Sequence, residues 1–152
     1  MMKMAIGCDH AGYDLKIILK DYLLGRQVDL IDLGCHSLAS CDYPKFAQDV
    51  CLSILKGEAS LGILVCGTGI GMSMSANRFK GIRAALCANE YHARMSRAHN
   101  NANVLCLGSR VIGSELALSI LSVWLDTEFE GNRHLRRANL MDEFSIDRKS
   151  VV

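Results

Sequence analysis

The sequence predicts an α/β fold: a Rossmann-like three-layer sandwich with a five-stranded parallel sheet and helices on both faces. Three observations predict it. Short apolar runs of strand length alternate about five times with longer segments of helical spacing. The clearest run, Leu61 with Ile63, Leu64 and Val65, is nearly all apolar, the pattern of a strand covered on both sides. Half of the 152 residues are hydrophobic and only one is proline, so the chain supports one sizeable core with little linker. One domain over residues 1–152 is expected, with a polar tail from about residue 145.

The elements follow in order. Met4 to Cys8 reads as a strand. Leu15, Ile18, Leu19, Tyr22 and Leu23 then recur at helical spacing, with Lys16, Lys20 and Asp21 as the polar residues between them and Gly25 as the stop. Val28 to Leu33 is a second strand, followed by a polar loop from Gly34 to Asp42. Pro44 suits the first turn of a helix running to about Lys56. Leu61 to Val65 is the third strand, and Met72, Ala76 and Phe79 mark the next helix. Ile82 to Cys87 is a fourth strand, Glu90 to His99 a helix, and Val104 to Leu107 a fifth strand. Gly113 to Leu125 and about Asn132 to Phe144 complete the helices.

Parallel strands joined by right-handed crossovers place ligands outside their carboxyl ends. Cys8-Asp9-His10, Cys66-Gly67-Thr68, Cys87 and Gly108-Ser109-Arg110 all follow strands, so they should share one rim.

Composition excludes several classes. A net charge of +1 gives nucleic acid no global electrostatic footprint. Seven cysteines, an odd number with no C-x-x-C pair, suggest neither a disulfide framework nor a zinc site. The opening MMKMAIGCDHAG meets Asp9 and His10 too soon for a signal peptide, and no run of 18 apolar residues spans a membrane. A reducing, cytoplasmic compartment is expected.

The third strand breaks into Gly67, Thr68, Gly69, Ile70 and Gly71. Alternating glycines bare backbone amides, and a strand, a glycine loop and a helix start together form an anion cradle. Cys66 stands at the strand end, where a thiol faces those amides; cysteines beside helix N-termini are more readily ionised than free ones. A nucleophile or base beside an oxyanion hole is one reading, and a buried turn with a small core cysteine is the other. A dinucleotide fingerprint fails, because the third glycine of G-x-G-x-x-G falls on Met72 or Met74. No Gly-Lys-Ser/Thr follows, which excludes a P-loop.

Other residues carry chemistry with competing readings. Asp9 and His10 form either a ligand-facing pair or a helix cap. His99 and Asn100 close a helix, where a histidine also serves as a dipole partner. Arg133 and Arg137, four apart, share a helix face. They suit a phosphate dianion, or else form a solvated basic face balanced by Glu128 and Glu130. Arg110 is a third cation. His36 and His92 have no evident partner, and Cys87 lacks a glycine loop and reads as core. Together the groups suit a small sugar phosphate: cations for the phosphate, a base for a proton, amides for enediolate charge, and an acid/base pair to open a ring.

G-C-D-H-A-G at 7–12, D-Y-P at 42–44, C-G-T-G-I-G at 66–71, G-I-R-A at 81–84, H-N-x-x-N-V-L at 99–105, G-S-R-V-I-G at 108–113 and R-H-x-x-R at 133–137 resemble the ribose-5-phosphate isomerase B (RpiB/LacAB) family. The resemblance covers nearly all of the chain to about Phe144. It implies an aldose-ketose isomerase of the pentose phosphate pathway, with Cys66 as the base between C2 and C1 and Thr68 as its hydroxyl assistant. It implies an enediolate hole from the amides of Gly67, Gly69, Gly71 and the residues between them. Asp9 and His99 resemble the ring-opening groups. His10, Arg110, Arg133 and Arg137 resemble the phosphate contacts, and Tyr43 and Asn100 the positioning groups. A homodimer or homotetramer with sites shared between subunits is implied, and neither a metal nor an organic cofactor. One branch of the family has a glutamate base where this chain has Ser75, so Cys66 assigns the chain to the cysteine branch. Isomerases of allose or galactose 6-phosphate share most of these motifs. A non-catalytic phosphosugar-binding module would have no use for Cys66 with Thr68.

Overall fold

The structure, a computed structural model, describes residues 1–144; the polar tail expected from about residue 145 lies outside them. Five strands form one parallel sheet: β1 (Lys3–Cys8), β2 (Asp29–Asp32), β3 (Leu61–Cys66), β4 (Ala84–Leu86) and β5 (Val104–Gly108). Their order across the sheet is β2-β1-β3-β5-β4. Six helices connect and follow them: α1 (Tyr13–Gly25), α2 (Tyr43–Leu55), α3 (Ile70–Ala76), α4 (Glu90–Ala98), α5 (Ser114–Asp126) and α6 (Arg133–Asp142).

Side chains alternate across the sheet with period two and build a core on each face. Met4, Ile6, Ile63, Val65, Leu105 and Leu107 meet Leu19 and Leu23 of α1, Ala93 of α4, and Ile120, Leu121 and Trp124 of α5. On the other face Ala5, Leu64, Cys66, Val104 and Cys106 meet Val50 and Cys51 of α2 and Met72 of α3. Burying each of the larger side chains contributes about 1.5–3 kcal/mol. The strand order makes β1 and β3 neighbours, yet α1 and α3 leave them toward opposite faces. That divergence opens a crevice at the carboxyl ends of β1 and β3. α3 and α5 part in the same way after β3 and β5, which lengthens the crevice.

Three expectations change. The fourth strand is three residues long, because it is an edge strand paired only with β5 and the chain before it is tied off by Arg83 N–H to Asn103 Oδ1 at 2.8 Å. The second strand shortens to Asp29–Asp32. Lys16 is not on a polar helix face: it is 1% exposed, its ammonium 2.9 Å from Asp32 Oδ1 and donating to the Cys35 carbonyl. Lys20 takes Asp32 Oδ2 at 2.7 Å. Burial works against the Asp32 charge, but the two lysines and the Gly34 N–H outweigh it and hold the carboxyl below the usual range.

Candidate active site

Asp9, His10, Cys66 and Arg110 do meet at the carboxyl rim. Asp9 N–H donates to the Val65 carbonyl, Ser109 N–H to Cys66 O, and Arg110 N–H to Gly67 O. The Ser109 hydroxyl bonds Ala11 O at 2.7 Å and Cys66 O at 3.2 Å. It therefore stitches the ends of β1, β3 and β5 together, a role that a lone serine in a loop does not announce in the sequence.

Cys66 is buried, and its Sγ accepts the Gly69 N–H at 3.1 Å. Gly69 has φ +79°, and a Cβ there would lie 2.5 Å from Leu86 Cδ1, so glycine is required at this turn. Thr68 Oγ1 accepts the Ile70 N–H at 3.2 Å, which leaves its own proton free to donate. The Gly69 and Ile70 amides hold Cys66 and Thr68 within the loop. Tyr43, at the start of α2, lies over Gly71, where a Cβ would come within 2.7 Å of its ring.

Asp9 is buried and accepts the Gly12 N–H through Oδ1 at 3.1 Å. The cap-like reading is therefore met at one oxygen, and the other remains for a ligand. His10 accepts the Cys41 N–H at Nδ1, 3.2 Å away, so its neutral ring carries the proton on Nε2. Cys8 adjoins this group. Burial pushes its thiol up to about 12, although Lys16 pulls the other way. Burial also raises Cys51 to about 12 and Cys87 to about 11, which agrees with the reading of Cys87 as core. All seven cysteines are free thiols.

The remaining candidates lie elsewhere. His99 and Asn100 follow α4, and the chain from there to Asn103 runs along the amino ends of the strands. Gly62 N–H at the start of β3 donates to Asn103 O, and Arg83 Nε before β4 donates to Asn101 O at 2.8 Å. α6 sits beside this segment: Arg83 pairs with Asp142 at 2.9 Å, and the ring of His134 stacks on His99 with centroids 4.1 Å apart. Five residues of β5 at 3.3 Å each separate the two rims by about 15 Å. In one chain, then, Asp9, His10, Tyr43, Cys66, Thr68 and Arg110 form one group, and His99, Asn100, Arg133 and Arg137 form another at the opposite rim. Arg110, Arg133 and Arg137 are exposed and make no ion pair among the described residues. A cavity of about 690 Å³ lies beside the second group, lined by Asn77 to Ala85, Asn100, Ala102, Met141, Asp142 and Phe144.

Two residues here escaped the sequence reading. Glu130 does not neutralise the arginines; its Oε2 is 3.3 Å from His99 Nε2. His134 is buried, and its Nε2 has no partner. Burial, followed by the charges of His99 and Arg133, pushes this imidazole below its ordinary value, against the pull of Glu130. Ligand atoms of His99, Glu130 and His134 lie within 4.8 Å of one another, the one such group among the described residues. The two rings are within 8° of parallel, so their nitrogen lone pairs run side by side and do not converge on an ion. His92 also gains a partner, its Nδ1 accepting the Ala88 N–H at 3.3 Å.

A ribose-5-phosphate isomerase B of Escherichia coli K12 is 49% identical over 137 residues, 90% of this chain and 92% of that one. The crystal structure of a ribose 5-phosphate isomerase from Thermotoga maritima superposes with a TM-score of 0.92 at 52% identity, covering 94% of this chain and 99% of its own. Ribose-5-Phosphate Isomerase B of Clostridium thermocellum gives a TM-score of 0.92 at 50% identity, covering 93% and 96%. Residues 4–141 match the family described as Ribose/Galactose Isomerase, and the chain belongs to that family.

Proposed function

We propose that this chain interconverts D-ribose 5-phosphate and D-ribulose 5-phosphate through a cis-enediolate, in a site assembled from two copies of the chain. The observation that carries the reading is the Gly69 N–H on Cys66 Sγ, beside a hydroxyl free to donate. A thiolate so held takes the C2 proton of the open-chain aldose and returns it to C1. The amides of Gly67, Thr68 and Gly71 and the Thr68 hydroxyl face the oxygens where charge develops.

Ring opening comes first. The hemiacetal hydroxyl loses its proton, the bond from C1 to the ring oxygen breaks, and the ring oxygen gains a proton. Asp9 is the group at the carboxyl rim for one of these transfers. His99 serves the other, and it reaches the sugar only as His99 of the partner subunit, because its own Cys66 lies across the sheet. Arg133 and Arg137 of the partner subunit then join His10 and Arg110 on the phosphate. A two-fold dimer repeats this exchange and makes two complete sites. α6 supports the arrangement: of its residues only His134 and Ala138 are buried, while Leu135, Leu140 and Met141 are 42–48% exposed. We place the reaction in the cytoplasm, where unpaired thiols stay reduced.

The test is turnover of ribose 5-phosphate, allose 6-phosphate and galactose 6-phosphate side by side, without added metal. Preference for the pentose supports the reading. Preference for a hexose keeps the proton shuttle and overturns the sugar, and no turnover of any of the three overturns the enzyme.

A further inference from the structure

We infer that Glu130 positions His99, with His134 as the platform beneath it, so that His99 exchanges its proton with the sugar through Nδ1. The inference rests on the reading of His99 as a ring-opening group and goes beyond it.

The geometry begins with the backbone. Glu130 N–H donates to the Ala98 carbonyl at 3.0 Å, which ties residue 130 to the residue just before His99. The carboxylate is therefore held at the imidazole by its own main chain, with Oε2 3.3 Å from Nε2. Nε2 is the ring nitrogen beside the carboxylate, and a carboxylate only accepts, so Glu130 favours the proton on Nε2. In the neutral ring the lone pair is then on Nδ1, and in the charged ring Nδ1 holds the proton that can leave. His134 fixes the ring plane from below, 4.1 Å away and within 8° of parallel.

Glu130, from the loop before α6, is the carboxylate beside this imidazole, and burial holds the neighbouring His134 below its ordinary value. A purely structural Glu130 would need only its N–H, and glutamine would replace it without effect.

The experiment uses the full chain with Glu130→Gln, Glu130→Asp and His99→Asn. Two reactions are followed: turnover of ribose 5-phosphate, and wash-in of deuterium at C1 of ribulose 5-phosphate in D2O. Ribulose 5-phosphate is open-chain, because the hydroxyl that would close its ring carries the phosphate. Its exchange needs the Cys66 step and no ring opening. We expect E130Q to lower kcat on ribose 5-phosphate at least about tenfold with KM changed less than about twofold, and exchange to fall far less. E130D should recover part of the loss, and H99N should show the same split more strongly. Equal loss in both reactions would reduce Glu130 to a structural role and overturn the proposal. So would E130Q turning over as wild type beside an impaired H99N. An unimpaired H99N overturns it through the role of His99. Inactive wild-type protein would instead overturn the isomerase reading itself.

Discussion

The Gly69 N–H lies 3.1 Å from the Sγ of Cys66, donating to it across the first turn of the glycine loop. This contact exists because Gly69 is left-handed at φ +79° and packs its bare Cα side against Leu86 and β5. Gly69→Ala should therefore lower kcat by at least about a hundredfold, since a strained αL alanine and a 2.5 Å approach to Leu86 Cδ1 turn the amide away from sulfur. Cys66→Ala should abolish turnover while melting near the wild-type temperature. A C66A enzyme of near wild-type activity would refute the thiol base.

The opposed rims make a prediction about mixtures. In the proposed dimer, C66A and H99N homodimers should each fail to turn over ribose 5-phosphate in both sites. A heterodimer of the two has one doubly altered site and one intact site. Equal mixing after reversible dissociation should recover about a quarter of wild-type activity, because half the dimers are hybrid and each has one working site. No recovery, with exchange confirmed by mass spectrometry of tagged copies, would place His99 and Cys66 in the same subunit's site.

Alkylation separates the thiols. Burial raises Cys8, Cys41, Cys51, Cys87 and Cys106 above the ordinary thiol range, and the buried Cys35 thiol donates its proton to the Ser37 carbonyl at 3.3 Å, whereas Cys66 Sγ accepts an amide N–H. Iodoacetamide should modify Cys66 first, with ribose 5-phosphate protecting it. Peptide mapping that shows another cysteine labelled first, unaffected by substrate, would count against an activated Cys66.

Asp32 and Lys16 make a stability prediction. Asp32 is depressed in the folded state, so its contribution is present above its unfolded value near pH 3.9 and is lost as pH falls through its lower folded value. Asp32→Asn removes the charge and leaves Lys16, 1% exposed, buried without a counter-ion. The cost should be about 3 kcal/mol at pH 7, read by urea unfolding. The deficit should shrink as acid protonates Asp32 in the wild type. A deficit that is constant down to pH 2 would show that the charge is not what matters.

Much of this was legible in the chain. The apolar runs, the glycine loop and the helical spacing mark every strand and helix to within a few residues, because periodicity and turn chemistry are local. The strand-end rule brought Asp9, Cys66 and Arg110 to one rim for the same reason: parallel order follows from alternation alone. Burial of Lys16 was not legible, because it depends on Asp32 and the Cys35 carbonyl arriving from the next strand and loop. Glu130 read as one acid among neighbours, and only the fold brings it to His99.

The sequence by itself determined the layered α/β architecture, the family and the residue types available for chemistry. Tertiary structure decided their grouping. α4 runs back from the carboxyl rim, so nine helical residues after Glu90 the chain stands at the opposite end of the sheet. His99 and Asn100 are thereby about one strand length, roughly 15 Å, from the thiol of their own chain. No local pattern encodes that separation, because it is set by the direction of a helix relative to a sheet.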